Sequence, residues 1–121
     1  MHSSGNLGEV GLVTLRRSFD AETLNWLRSM PACDALSLVA IHVKADTTYV
    51  PLKTDFSRRW HVRTSRGEFE ILTTGVKWYD TRGRHGGGGA IDLAMHVLGL
   101  SFVQAVKHLT LTIVDHGSHH P

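Results

Sequence analysis

A chain of 121 residues, 41% hydrophobic and 20% charged, can bury one modest core without covalent or metal staples. Its single cysteine excludes an internal disulfide and any cysteine-rich zinc cluster, and fits a reducing compartment. No apolar run approaches the ~18 residues that span a bilayer, and MHSSGNLGEVGLV lacks a basic stretch followed by a long apolar core, so a soluble cytoplasmic protein is expected.

The net charge of +2 is small, but its distribution is uneven. Residues 53–84 carry eight Lys/Arg against four Asp/Glu, whereas 1–52 carry four against five and 85–121 one against two. That middle segment is either a surface facing a polyanion or a solvated, salt-bridged sheet face.

In chain order, Gly/Ser-bearing residues 1–15 predict a flexible arm, 16–111 a single domain, and 112–121 a flexible tail. DAETLNWLRSM sets Leu24, Leu27 and Trp26 near one side of a short helix ended by Pro31. ACDALSLVAIHVKAD repeats Leu36, Val39, Ala40 and Val43 at helical spacing, with Asp34 in its first turn. The pattern then alternates. TTYVPL, RWHVRT, EFEILTT and VKWYDT, separated by polar turns, predict three or four short antiparallel strands. Pro51 confines the first of these to an edge.

The last third is helical. Ile91, Leu93, Ala94, Val97 and Leu98 form a broad apolar face closed by Gly99, and Ser101 with Gln104 makes a capping box before FVQAVKHL. The expected fold is α+β, a small central antiparallel sheet flanked by N-terminal helices and a C-terminal helical hairpin.

Four glycines, Gly86, Gly87, Gly88 and Gly89, precede the first of those last two helices. A helix entrance with free amides suits an anion, but a nucleotide loop needs GxxxxGK[ST], and GxGxxG needs a βαβ unit. Contact with one backbone phosphate of a nucleic acid remains open. The nine histidines show no metal-binding spacing, and CxxC and HExxH are absent, so no metal and no other cofactor is expected. Asp92 suits the positive end of a helix dipole, and Cys33 reads as a packed thiol. No catalytic set declares itself around Asp80 and Asp92, so the chain is read as a non-enzyme.

GGGGAIDLAMHVLGLSFVQAVKHL resembles the signature GGD-A-I-x-F-x-M-x-x-x-G-x-S-F-x-E-A-V-x-x-L. That signature closes the N-terminal zinc-ribbon domain of bacterial replicative primases and of primase-like proteins of plasmids and integrative elements. Upstream, DALSLVAIHVKAD resembles the family's leading helix, TYVPL its first strand, RRWHV its P-S-F-x-V strand, and VKWYD the strand entering its second ligand pair. The resemblance covers about residues 34–110. The family's C-x-x-H and C-x-x-C ligand pairs are missing, replaced by LKTDFS and WYDTRGRHGGGG. The resemblance therefore implies a ribbon that has lost its metal, in which Trp60, Phe69, Trp78 and Tyr79 must replace about 10 kcal/mol or more of metal-linked folding energy.

The family's ribbon surface touches single-stranded template. Carried over, this makes Lys53, Arg58, Arg59, Trp60, His61, Arg63, Arg82 and Arg84 the candidate nucleic-acid-binding residues, cations tracking phosphates and the interleaved rings of Trp60, His61, Trp78 and Tyr79 offering faces to bases, with Trp78 read rather as core. Gly86 to Gly89 let the chain turn tightly from the last strand into the helix, close against the sheet, where a Cβ would clash, with phosphate contact as a second use. The function expected is binding of DNA, single-stranded, in replication or transfer of a mobile element. The alternative is a docking module for a primase, helicase or relaxase that binds no DNA itself.

Overall fold

In the computed structural model the described residues are 20–51 and 56–118, with side chains described through Ile113. Helix α1, Ala21–Ser29, begins at Asp20, whose carboxylate accepts the Thr23 amide at 2.8 Å and is thereby held below the usual carboxylate range. Pro31 then opens α2, Ala32–Val39, which buries Ala32, Ala35, Leu36 and Val39.

The helical spacing that runs on to Val43 is not followed. The chain leaves α2 at Ala40, and β1 is His42–Ala45, paired antiparallel with β2, Arg58–Thr64, so that Val43 faces Val62. Pairing with a neighbour outweighs a local period that fits either element. Residues 47–51 of TTYVPL are correspondingly not a strand. Asp46 accepts the Thr48 amide and hydroxyl at 2.9 and 2.6 Å, folding that stretch into a turn.

Strands β3, Gly67–Thr74, β4, Lys77–Asp80, and β5, His85–Gly88, complete a five-stranded antiparallel meander in the order β1-β2-β3-β4-β5. The sheet thus has five strands rather than three or four, because part of the expected second helix and most of the expected glycine loop are strands. The fold is α+β, as expected.

One sheet face supplies Val62, Ile71 and Trp78 to a core completed by Leu27, Leu36, Leu93, Val97, Val106 and Leu109. Each fully buried aliphatic side chain contributes roughly 1.5–3 kcal/mol. Helix α3 is Ala90–Leu98 and α4 is Phe102–Ser118. Gly99, at φ 67°, ends α3 with its N–H and that of Leu100 both on the Met95 carbonyl. The Ser101 and Gln104 side chains then bond reciprocally to each other's amides at 3.0 and 3.2 Å, starting α4. The chain bends by 107° between the two helices, so the hairpin is an open one. No single helix among the described residues is long and apolar enough to cross a membrane.

Helix α4 continues to Ser118, past the boundary expected at Leu111. Ile113 still packs against the core, and the hydroxyls of Thr110 and Thr112 bond to the carbonyls of Val106 and His108, one turn back. The arm expected at residues 1–15 lies outside the described residues, as does Lys53.

Candidate nucleic-acid interface

Because side chains alternate along a strand, the face opposite the core is fixed by the register. Three cross-strand rows form it: His42–Arg63–Glu68, Lys44–His61–Glu70 and Arg59–Leu72–Tyr79–Gly86. Lys77 lies at its end, opposite Gly88. His61, Arg63 and Lys77 are exposed, and Tyr79 retains 42% of its accessible surface.

Arg59 is the anchored member. Its Nε and Nη2 both lie 2.8 Å from Asp46 Oδ2, Glu70 is 4.0 Å away, and its guanidinium lies 5.1 Å from the Tyr49 ring centre. His61 Nε2 approaches the same Asp46 oxygen at 3.3 Å. The Thr48 hydroxyl and amide, aided by Arg59, hold the Asp46 carboxyl far below the usual range. This corner is the salt-bridged sheet face that the composition also allowed.

The other predicted residues divide. Arg58 is exposed at the start of β2, on the Trp60 side of the strand, with Nη1 donating to the Ser57 carbonyl. Trp60 packs against the core and donates Nε1 to Thr73 Oγ1 at 2.9 Å, so its polar end points into the fold. Arg82 and Arg84 are exposed in the β4–β5 turn, Arg84 at φ 53°. The structure therefore brings Arg59, His61 and Arg63 onto one face, with Arg82 and Arg84 beyond the end of β4, and separates Arg58 and Trp60 from them. Lys44 and His42 were missed because their segment read as helix. Period-two parity across β2 would have separated Trp60 from its neighbours.

The glycines are shaped mostly by what they approach. A Cβ on Gly87 would collide with the Asp92 carboxylate and lie 2.9 Å from Trp78 Cζ2, and one on Gly86 would lie 2.9 Å from Tyr79 Cδ1. Gly89 has φ 86°, with the Arg28 backbone 3.3 Å from where its Cβ would be. The tight turn from sheet to helix thus has a steric basis. Asp92 Oδ2 accepts the Gly88 amide at 3.2 Å, so a phosphate at this helix entrance would have to displace a carboxylate.

Where the resemblance puts the second ligand pair, Asp80 is already committed. The carboxylate, 3% exposed, accepts the amides of Arg82 and Gly83 on Oδ1 and meets His96 Nε2 on Oδ2 at 2.8 Å. Burial raises its carboxyl, but the Gly83 amide, His96 and the Arg82 amide outweigh that and hold it below the usual range. The His96 ring stacks on Trp78 and His85, with centroids 5.1 and 4.8 Å away, and meets Phe69 edge-on at 5.9 Å. Aromatic packing thus fills this end of the sheet, although Tyr79 stays outside it. Trp78 Nε1 is buried with no hydrogen-bond partner among the described residues. Among those residues no three His, Cys, Asp or Glu side chains converge as metal ligands, and Asp80 between two amides and an imidazole does not fit a zinc-ribbon ligand.

On the helical side, a groove of about 430 Å³ is lined by Trp26, Met30, Pro31, Leu38 and Ile113, with Ser29 and Asp34 at its polar positions. Trp26 is 53% exposed.

The chain is similar to a 65 kDa protein of Zymomonas mobilis subsp. mobilis, 29% identical over 113 residues, which is 93% of this chain and 16% of that protein. It therefore spans only a small part of that relative's length. No family model matches the chain, and no solved structure matches it.

Proposed function

We propose that this chain is a non-catalytic, cytoplasmic DNA-binding module, related to the template-binding domain of primases, that holds single-stranded DNA during replication or transfer of a mobile element. The observation that carries the reading is the sheet face that none of the described helices covers. Lys44, Arg59, Arg63 and Lys77, from three strands, lie there around a half-exposed tyrosine, and the face leads to Arg82 and Arg84 in the turn beyond. Asp46 and Glu70 offset the charge of Arg59, so Arg63, Lys77, Arg82 and Arg84 carry the phosphate contacts. Support for the primase relationship is the signature itself, whose glycine entrance, Gly99 terminator and capping box fall at the matching positions of α3 and α4.

The test is fluorescence anisotropy with single- and double-stranded oligonucleotides at two salt concentrations, on the parent chain and on an Arg63→Glu, Arg82→Glu, Arg84→Glu triple variant. The parent should bind single strands, and the variant should lose binding while keeping its circular-dichroism spectrum and melt. A folded parent with no affinity at low salt overturns the reading.

The groove beside Trp26 favours a second reading, a docking module for a primase, helicase or relaxase. Loss of such an interaction in Trp26→Ala, with no DNA binding by the parent, is the result that favours it.

A further inference from the structure

Three of the four consecutive glycines are accounted for by their surroundings. Gly86 and Gly87 would drive a Cβ into Tyr79, Trp78 or Asp92, and Gly89 needs its positive φ. Gly88 is different. A Cβ built there meets nothing within 4 Å among the described residues, and its φ lies outside the left-handed region. Nothing among the described residues requires a glycine at this strand position, where it forfeits the conformational restraint that any side chain would bring. A glycine facing open space on a strand is suited to close approach by a ligand.

The direction of that space follows from the register. Gly88 and Gly86 share the outer face with Lys77 and Tyr79, and Lys77 is the cross-strand partner of Gly88. The Tyr79 ring leans over Gly86, close enough to exclude a Cβ there, and remains 42% exposed. The β4–β5 ribbon thus has a bare floor beside an aromatic ring. Lys77 stands at one end of β4, and the turn bearing Arg82 and Arg84 follows the other. At ~3.3 Å per residue the ends of β4 are about 10 Å apart, which about three stacked nucleotides span at ~3.4 Å each.

Resting on the reading above, we infer that Tyr79 and Gly88 form a seat for an unpaired nucleobase. The base stacks on the open face of Tyr79, and the strand passes against the Gly88 backbone. Lys77 and the Arg82–Arg84 turn take the flanking phosphates. The seat selects single strands because a duplex keeps its base faces stacked inside.

The experiment compares three probes by fluorescence anisotropy: a short oligothymidylate, an abasic deoxyribose-phosphate chain of the same length, and a duplex of that length. The parent should prefer the oligothymidylate to the abasic chain by roughly 5- to 150-fold, the range of one base–aromatic stack. Tyr79→Ala should abolish that preference while leaving abasic affinity unchanged, and Tyr79→Phe should keep it. Gly88→Val should weaken oligothymidylate binding at an unchanged or raised melting temperature. If it lowers the melt, the Tyr79→Ala and Tyr79→Phe pair decides. Equal parent affinity for the two single-stranded probes, or a preference that survives Tyr79→Ala, overturns the base seat and leaves phosphate binding standing. Failure of the parent to bind any of the three overturns both.

Discussion

His96 Nε2 lies 2.8 Å from Asp80 Oδ2, joining α3 to the last residue of β4. The other Asp80 oxygen holds the turn that carries Arg82 and Arg84. One buried carboxylate thus fixes both the helix and the basic turn against the sheet.

Replacing Asp80 by Ala should cost roughly 1–3 kcal/mol, because it leaves the Arg82 and Gly83 amides and His96 without their acceptor. The folded-state carboxyl is held below its usual range. Its stabilisation is therefore fully present above the unfolded value of ~3.9 and fades as pH falls through the folded value. Denaturant melts should show this contribution shrinking below about pH 4. Asp80→Asn should start less stable and lose less on acidification.

Adjacent glycines should respond oppositely to alanine. Gly87→Ala must displace the Asp92 carboxylate from its bond to Gly88 and crowd Trp78, at a cost of roughly 1–3 kcal/mol for overpacking. Gly88→Ala meets open space and should be neutral or stabilising by up to about 1 kcal/mol. Thermal melts of the two variants side by side check this.

Leu109 is fully buried in the central cluster, whereas Phe102 is half-buried at the start of α4. Leu109→Ala should therefore cost roughly 2–5 kcal/mol, and Phe102→Ala less than that of a fully buried phenylalanine. Urea titration of both variants measures the difference.

The salt dependence of oligonucleotide binding should rank the arginines. Removing one cation from a phosphate lowers the slope of log K against log[salt] by about 0.7 for single strands. Arg63→Gln should show that decrement. Arg59→Gln should show less, because Asp46 already neutralises that guanidinium at 2.8 Å.

Chelator should leave the melting temperature unchanged. The carboxylate at the expected second ligand position is saturated by two amides and His96, and the sequence supplies no paired cysteines. One tightly held zinc per chain in elemental analysis would contradict this.

Elements whose specification is short-range were legible in the sequence. Gly99 at the end of α3, the reciprocal Ser101–Gln104 cap and the alternating strands RWHVRT, EFEILTT and VKWYD all depend on residues within a few positions of one another. Asp92 in the first turn of α3, at the positive end of its dipole, was also readable from local position. HVKA and HGGG were not. Lys44 and Val43 extend a period compatible with a helix, and three glycines have no side chains whose alternation could reveal a strand. Only the opposing strands, β2 for the first and β4 for the second, supplied the hydrogen-bonding partners that made them β1 and β5. The same pairing decided the candidate interface. The sequence set Arg58 to Arg63 in one basic run, but the pleat turned Trp60 inward to Thr73, left Arg59 and Arg63 on the outer face, and put Gly86 opposite Tyr79 and Gly88 opposite Lys77. Those neighbours follow from register, which is a property of paired chains rather than of any one segment.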